Sequence, residues 1–270
     1  MPTPRSYLFV PGNRPERFAK ALASGADAVV LDLEDAVAPH GKEAARQAVA
    51  AWLPSAPPMH VRINGVGTPW FEDDLQMCCE AGVHVLILPK AEHPAYIADI
   101  AARTKGRTQV LPMIESALGM WNAMDLARSK YVERLAFGAI DFQHDLSISA
   151  DDQELLYFRS QLVLVSRVAG LAPPVDGVTT ALDNSEQVRK DAMRAKRLGF
   201  GGKSCIHPAQ VQQVNACFGV SPDELAWARR VVDAAGSAQG AAIAVDGQMV
   251  DKPVLARAEA ILDNASAQPL

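Results

Sequence analysis

The pattern that most constrains this chain is an eightfold alternation of short apolar runs with longer amphipathic ones. Residues 6–10 (SYLFV), 28–33 (AVVLDL), 59–63 (MHVRI), 83–88, 109–114, 134–137, 174–178 and 201–206 read as strands. Between them, residues 14–24, 42–53, 70–81, 94–103, 118–129, 152–169 and 185–198 carry helical spacing. In the first of these helices Phe18, Ala19 and Leu22 share one face. Strands separated by helical crossovers pair in parallel. Eight such units predict an α/β fold, a (β/α)8 TIM barrel. No GxGxxG motif opens a helix after a strand, which weighs against a doubly wound dinucleotide-binding sheet.

The pattern changes after the eighth strand. Residues 208–218 read as a helix, and Ser221 to Glu224 (SPDE) as the capped start of another over 224–235. Residues 242–245 and 248–250 flank Asp246-Gly247, a strong hairpin signal, and a last helix spans 253–262. This tail is too short for a core of its own and predicts a lid, or an arm that packs on another subunit. The expected division is a catalytic barrel over residues 1–218 and a lid or oligomerisation segment over 219–270.

Charge and composition narrow the function. With 26 Lys and Arg against 31 Asp and Glu, the net charge of −5 argues against a nucleic-acid surface. Aromatic residues make up only 6 %, too few for a base-stacking platform. Cys78, Cys79, Cys205 and Cys217 form no CxxC pair, so neither a zinc signature nor a disulfide framework is expected. The N-terminus does not read as a signal peptide, and no apolar run approaches the ~20 residues of a membrane span. A cytoplasmic enzyme for a small substrate, with no membrane partner, is the expectation.

In a (β/α)8 barrel the chemistry sits at the C-terminal ends of the strands. Those ends carry Asp32, Glu34 and Asp35, then Arg62 and Asn64, Lys90, Glu115, Asp141, and finally Lys203, Ser204 and His207. Each has a plain structural reading. Asp35 and Ser116 fit helix caps, Lys90 a solvated loop, and His207 the start of a helix. Arg62 resists this, because a buried guanidinium needs an anionic partner. Glu115 and Asp141 would repel each other at one barrel mouth unless a divalent cation lay between them. Two carboxylates completed by water and substrate oxygens are the usual way Mg²⁺ is held. The residues therefore point to Mg²⁺-assisted chemistry on a small carboxylate-bearing substrate, with an arginine for its carboxylate or for a developing oxyanion.

At these residues the chain resembles the citrate lyase β-chain-like branch of the HpcH/HpaI aldolase superfamily. The resemblance is carried by residues 5–13 (RSYLFVPGN), 31–39 (LDLEDAVAP), 61–64 (VRIN), 88–90 (LPK), 112–119 (PMIESALG), 137–142 (FGAIDF), 202–208 (GKSCIHP) and 246–253 (DGQMVDKP). Their order and spacing together are specific. The resemblance implies a barrel with a C-terminal lid, commonly a homotrimer in which one subunit's lid completes a neighbour's site. It implies Mg²⁺ on Glu115 and Asp141, and Arg62 as the substrate-binding arginine. It implies contacts to a coenzyme A thioester from Phe9, Lys20, Ser204 and Cys205. It makes Asp251 the catalytic acid/base, acting in trans. Arg14 and Arg17 add positive charge near Lys20 that suits a CoA phosphate, or simply a solvated basic face. Glu34 is placed near the metal, where it would orient a water or ligand.

The implied reaction is reversible Claisen-type cleavage of a β-hydroxyacyl-CoA, with citramalyl-CoA to pyruvate and acetyl-CoA preferred. A malyl-CoA lyase is the near alternative. Others are a citrate lyase β subunit acting on a carrier-bound citryl thioester, an aldolase independent of CoA, and a non-catalytic paralogue. The retained Asp246 to Asp251 segment favours a free-standing CoA lyase over the carrier-dependent subunit. The joint presence of Arg62, Glu115, Asp141 and Asp251 speaks against a non-catalytic protein.

Overall fold

The computed structural model describes residues 3–237 and 243–267. The chain divides into two compact units, Thr3–Asn215 and a second that begins at Ala216. In the first unit the strands are β1 (Ser6–Pro11), β2 (Ala28–Asp32), β3 (His60–Arg62), β4 (Val85–Leu88), β5 (Gln109–Ile114), β6 (Ala136–Phe137), β7 (Val175–Asp176) and β8 (Gly202–Cys205). They pair in parallel, in sequence order, and β8 closes on β1 with Ser6 beside Lys203 and Leu8 beside Cys205. The predicted TIM barrel is therefore present. Its helices are α1 (Phe18–Leu22), α2 (Lys42–Trp52), α3 (Phe71–Ala81), α4 (Pro94–Arg103), α5 (Ala117–Trp121), α6 (Ala123–Ala127), α7 (Ala139–Leu146), α8 (Leu156–Val168), α9 (Ser185–Leu198) and α10 (Pro208–Phe218).

Local chemistry explains the boundaries. Pro94 starts α4 at a position where the missing N–H costs nothing. Asn184 caps α9 by accepting from the Gln187 N–H, and Gly199 ends it at φ 101°. The single helix expected over 118–129 is two short ones. The chain breaks at Asn122, whose Nδ2 donates to the Glu92 carbonyl at 2.8 Å. Of the strand expected over 134–137 only Ala136 and Phe137 pair as β6, and Gly138 (φ −93°, ψ 77°) turns the chain into α7, a helix that the spacing did not predict.

Alternate strand residues face the barrel axis. Tyr7, Ala28, Val30, Ile87, Leu111, Met113, Ala136 and Val175 form that core, joined by Phe9 and Val85. Each Val, Ile, Leu or Met side chain among them stabilises the fold by about 1.5–3 kcal/mol when fully buried. At the N-terminal end His60 meets Tyr7 edge-on, with ring centroids 5.6 Å apart. Burial pushes the His60 pKa from 6.5 down to about 4. The native state thus favours neutral imidazole, so the contribution is complete above pH 6.5 and is lost as the pH falls towards 4. Between pH 7 and 5, wild-type protein should lose about 2 kcal/mol more stability than His60→Phe, read from urea melts. Parallel pH profiles for the two proteins would remove His60 from this role.

The second unit holds α11 (Pro222–Ser237), β9 (Ile243–Val245), β10 (Gln248–Val250) and α12 (Lys252–Ala267). Ala242, expected to begin the hairpin, lies outside the described residues. Ser221 and Glu224 form a reciprocal capping box, 2.9 and 3.1 Å. Asp246 and Gly247, at φ 51° and 76°, make the hairpin turn. Contrary to expectation, this segment packs a small core of its own. Ala228, Val231, Val250 and Ala258 pack with Trp227, Val254, Leu255 and Ile261. Among the described residues, no helix is long and apolar enough to cross a membrane.

Candidate active site

The strand ends converge on a cavity of about 330 Å³, within the range of small-molecule sites. Its apolar wall includes Phe9, Met113, Phe137 and Ile140, and its polar floor Asp32, Arg62, Glu115 and Asp141. All the lining residues belong to the barrel unit.

The register of β2 on β3 sets Asp32 directly beside Arg62. Arg62 Nε and Nη2 donate to the two Asp32 oxygens at 2.7 and 2.6 Å, a two-pronged pair. Nη1 lies 3.0 Å from Glu34 Oε2 and 3.3 Å from Asp35 Oδ2. The Phe9 ring lies 4.9 Å from the guanidinium carbon. Burial opposes the charge on Arg62, but Asp32, Glu34 and Asp35 outweigh it and hold its pKa above the usual value. The anionic partner that a buried Arg62 requires is thus supplied by the chain itself. Asp32 also accepts from the N–H groups of Glu34 and Ala36, at 3.0 and 3.3 Å, and so shapes the loop after β2.

Glu115 directly follows β5 and is 2 % exposed. Its Oε1 accepts from the Lys90 N–H at 2.7 Å. Lys90 points that N–H inward by adopting φ 46°, a left-handed conformation unusual for a side-chain-bearing residue. Its ammonium lies 3.2 Å from Asp141 and 3.6 Å from Glu34. Asp141 sits in the first turn of α7 rather than at a strand end. Burial, followed by repulsion from Glu34 and Asp141, raises the Glu115 pKa well above the carboxylate range. Burial, opposed by Arg62, likewise raises that of Glu34. Burial works against the Lys90 ammonium, but Glu115, Glu34 and Asp141 hold its pKa above the ordinary value. Gly138 completes the floor, since a Cβ there would come within 2.3 Å of Glu115 Oε2.

Phe9, Glu34, Arg62, Glu115, Asp141 and Ser204 are thus brought to one mouth. Other expected residues lie elsewhere. Lys20 is exposed on α1, and Arg14 is exposed and paired with Glu16 at 2.6 Å. Cys205 is buried, with burial raising its thiol pKa to about 12, and it does not line the cavity. Lys203 points into the helical layer, donating to the Gly177 carbonyl at 2.6 Å. His207 accepts from the Ala209 N–H at 3.2 Å, and Ser116 caps α5, as their plain readings hold. Asp251, in the second unit, accepts from the Val254 N–H at 3.2 Å at the start of α12. The sequence reading undervalued Asp32 and Lys90. Only parallel register and the loop conformation reveal them.

Among the described residues no group of three or more His, Cys, Asp or Glu side chains is arranged to enclose a metal ion. A site of one or two carboxylates completed by solvent and substrate has a smaller requirement, and Glu115 with Asp141 meets it. Two observations fit a cation here. Burial is the main reason that the carboxyl groups of Glu34 and Glu115 hold protons more tightly than usual, and repulsion from neighbouring carboxylates adds to it, which a cation would relieve. The buried Glu34 Oε2 also lacks an aligned hydrogen bond.

Residues 5–208 match the model of the HpcH/HpaI aldolase/citrate lyase family. The chain belongs to that family. Residues 171–268 also match a family described as a C–C bond lyase of the TIM-barrel fold. A citrate lyase subunit beta-like protein of Deinococcus radiodurans is 39 % identical, with 96 % of each chain covered. A (3S)-malyl-CoA thioesterase of Cereibacter sphaeroides is 34 % identical, with 95 % of each covered. The crystal structure of protein CitE from Mycobacterium tuberculosis, in complex with magnesium, acetoacetate and coenzyme A, superposes with a TM-score of 0.87. It is 36 % identical and covers 97 % of this chain and 98 % of its own. Membership of the HpcH/HpaI family makes this chain a carbon–carbon lyase.

Proposed function

We propose that this enzyme uses Mg²⁺ to cleave a β-hydroxyacyl-CoA into a 2-oxo acid and acetyl-CoA, with citramalyl-CoA as the preferred substrate and pyruvate as its product. The observation that carries the reading is the cluster of Glu34, Glu115 and Asp141 around Lys90 and Arg62, under an apolar wall. Met113, Phe137 and Ile140 favour a hydroxy acid that bears a methyl group. Glu115 and Asp141 would hold the magnesium ion. Bound there, magnesium supplies positive charge for the carboxylate and hydroxyl oxygens of the substrate.

The chain's own groups supply the rest. Glu34, with a raised pKa and a buried oxygen, is suited to take the hydroxyl proton. The C–C bond electrons then move into the thioester carbonyl as the hydroxyl carbon becomes the 2-oxo carbon. Arg62 meets the enolate oxygen through Nη1, the guanidinium donor that Asp32 does not hold, 3.0 Å from Glu34 and 3.3 Å from half-exposed Asp35. Asp251 gives a proton to the enolate carbon to form acetyl-CoA, from a neighbouring subunit of a trimer. Exposed Trp121, Tyr157, Leu164 and Val168 supply apolar surface for assembly. Lys20, Arg14, Ser204 and the Cys205 backbone would meet the coenzyme.

The test is a spectrophotometric screen of citramalyl-CoA, malyl-CoA and citryl-CoA with Mg²⁺, trapping the 2-oxo acid. A second reading, hydrolysis of the thioester, draws on the malyl-CoA thioesterase relative. It would release free thiol and an intact hydroxy acid, with no 2-oxo acid. Asp251→Asn is expected to lower turnover by on the order of 10³-fold, leaving Mg²⁺ and CoA affinity near wild type. Unchanged turnover would take Asp251 out of the mechanism. Mixed oligomers of Asp251→Asn and Arg62→Ala chains should regain activity if Asp251 acts in trans.

A further inference from the structure

Lys42 opens α2, where a lysine would ordinarily reach solvent, yet it is only 5 % exposed. Its ammonium donates to the Leu33 carbonyl at 2.8 Å, the Glu34 carbonyl at 2.7 Å and Asn64 Oδ1 at 2.6 Å. It also lies 5.2 Å from the centre of the Trp70 ring. Asn64 Nδ2 donates in turn to the Leu33 carbonyl at 3.0 Å and to Asp74 Oδ2 at 2.6 Å. Asp74 is itself held by Arg46 at 2.9 Å. The ammonium therefore stands between the chain leaving β2 and the chain leaving β3. It touches neither Arg62 nor the cavity.

Burying an ammonium is unfavourable unless its donors are met. Here the acceptors are the backbone oxygens of the loop that presents Glu34, and the side chain two residues after Arg62. We propose that Lys42 is a positioning residue, tying the Leu33–Glu34 backbone to Asn64 and so holding Glu34 within ion-pair reach of Arg62 and Lys90. Its effect on rate rests on the lyase reading above, whereas its effect on the loop does not.

The test is Lys42→Met, followed by hydrogen exchange and by kinetics, with Leu126→Ala as a remote control. Amides of residues 33–37 should exchange at least about tenfold faster, with those of β5–β8 unchanged. Turnover should fall on the order of 10²-fold, with a smaller change in KM. Leu126→Ala, destabilised by a buried cavity in α6, should keep its turnover. Because Lys42 acts through Glu34, adding Lys42→Met to Glu34→Gln should lower turnover little further. If Lys42→Met does not fold, Lys42→Gln keeps two of the three N–H donors and should show the same pattern at smaller amplitude. Unchanged loop exchange, exchange raised equally along the chain, or losses that multiply in the double variant would each overturn the proposal. If wild-type protein cleaves none of the thioesters, the lyase reading fails, while the exchange data still judge the clamp.

Discussion

Arg62→Ala is expected to destabilise the protein by about 3–5 kcal/mol and to lower kcat/KM by on the order of 10³-fold or more. The loss of stability follows from what remains. Asp32 is 1 % exposed, and its two oxygens lose both guanidinium donors and keep only the Glu34 and Ala36 N–H groups, while Glu34 and Asp35 lose the same cation. The sign of the pH dependence follows too. Glu34 is already raised by burial, and without Arg62 it takes a proton still more readily. The deficit relative to wild type should therefore shrink as the pH falls and widen as it rises. Arg62→Lys should recover part of the stability, since the charge returns. It should recover little turnover, because an ammonium cannot make the two-pronged contact with Asp32 and still present a donor to the substrate. Urea melts at two pH values and initial rates check both parts. Arg62→Lys with full activity would reduce Arg62 to a point charge.

Gly138→Ala should remove most magnesium-dependent activity without altering a single charge. The added Cβ would meet Glu115 Oε2 at 2.3 Å and Glu115 Cβ at 2.6 Å, so the glutamate must move. Glu115 cannot retreat freely, since it is 2 % exposed and held by the Lys90 N–H. Overpacking of this kind costs about 1–3 kcal/mol in stability. With Glu115 as a magnesium ligand, as proposed, its displacement should weaken magnesium binding by roughly 10–100-fold or more. Glu115→Gln is the companion, keeping the shape while removing the charge. Magnesium titrations by calorimetry and by activity, with EDTA as the control for metal removal, read both variants. Wild-type magnesium affinity in both, or activity that survives EDTA, would contradict a metal held by Glu115.

The barrel was legible because its evidence is local and repeated. Eight apolar runs, each ending in a turn and each followed by a helical pattern, leave few other solutions. Helix limits were readable where a cap or stop residue announces them, as at Pro94, Gly199 and the Ser221–Glu224 box. They failed where tertiary context overrode the pattern. Gly138 starts α7, a helix that the spacing did not predict, and Asn122 is drawn out of its helix by the Glu92 carbonyl. The second unit's small core was hidden because its apolar residues are scattered over two helices and a hairpin.

The site divides along the same line. By itself the sequence determined which polar groups stand at the strand ends, since strand period and connection order place them there. It could not assign partners. Arg62 required an anionic partner that its place in the sequence does not name, and the register of β2 on β3 gives it Asp32. Lys90 read as a solvated loop residue, yet a left-handed backbone turns its N–H onto Glu115 and its ammonium onto Asp141 and Glu34. Lys42 read as an ordinary helix start, yet it ties two loops together. The physical reason is distance along the chain. Composition and period act over a few residues, whereas these ion pairs and hydrogen bonds join groups up to 51 residues apart. Only closure of the barrel brings them within reach.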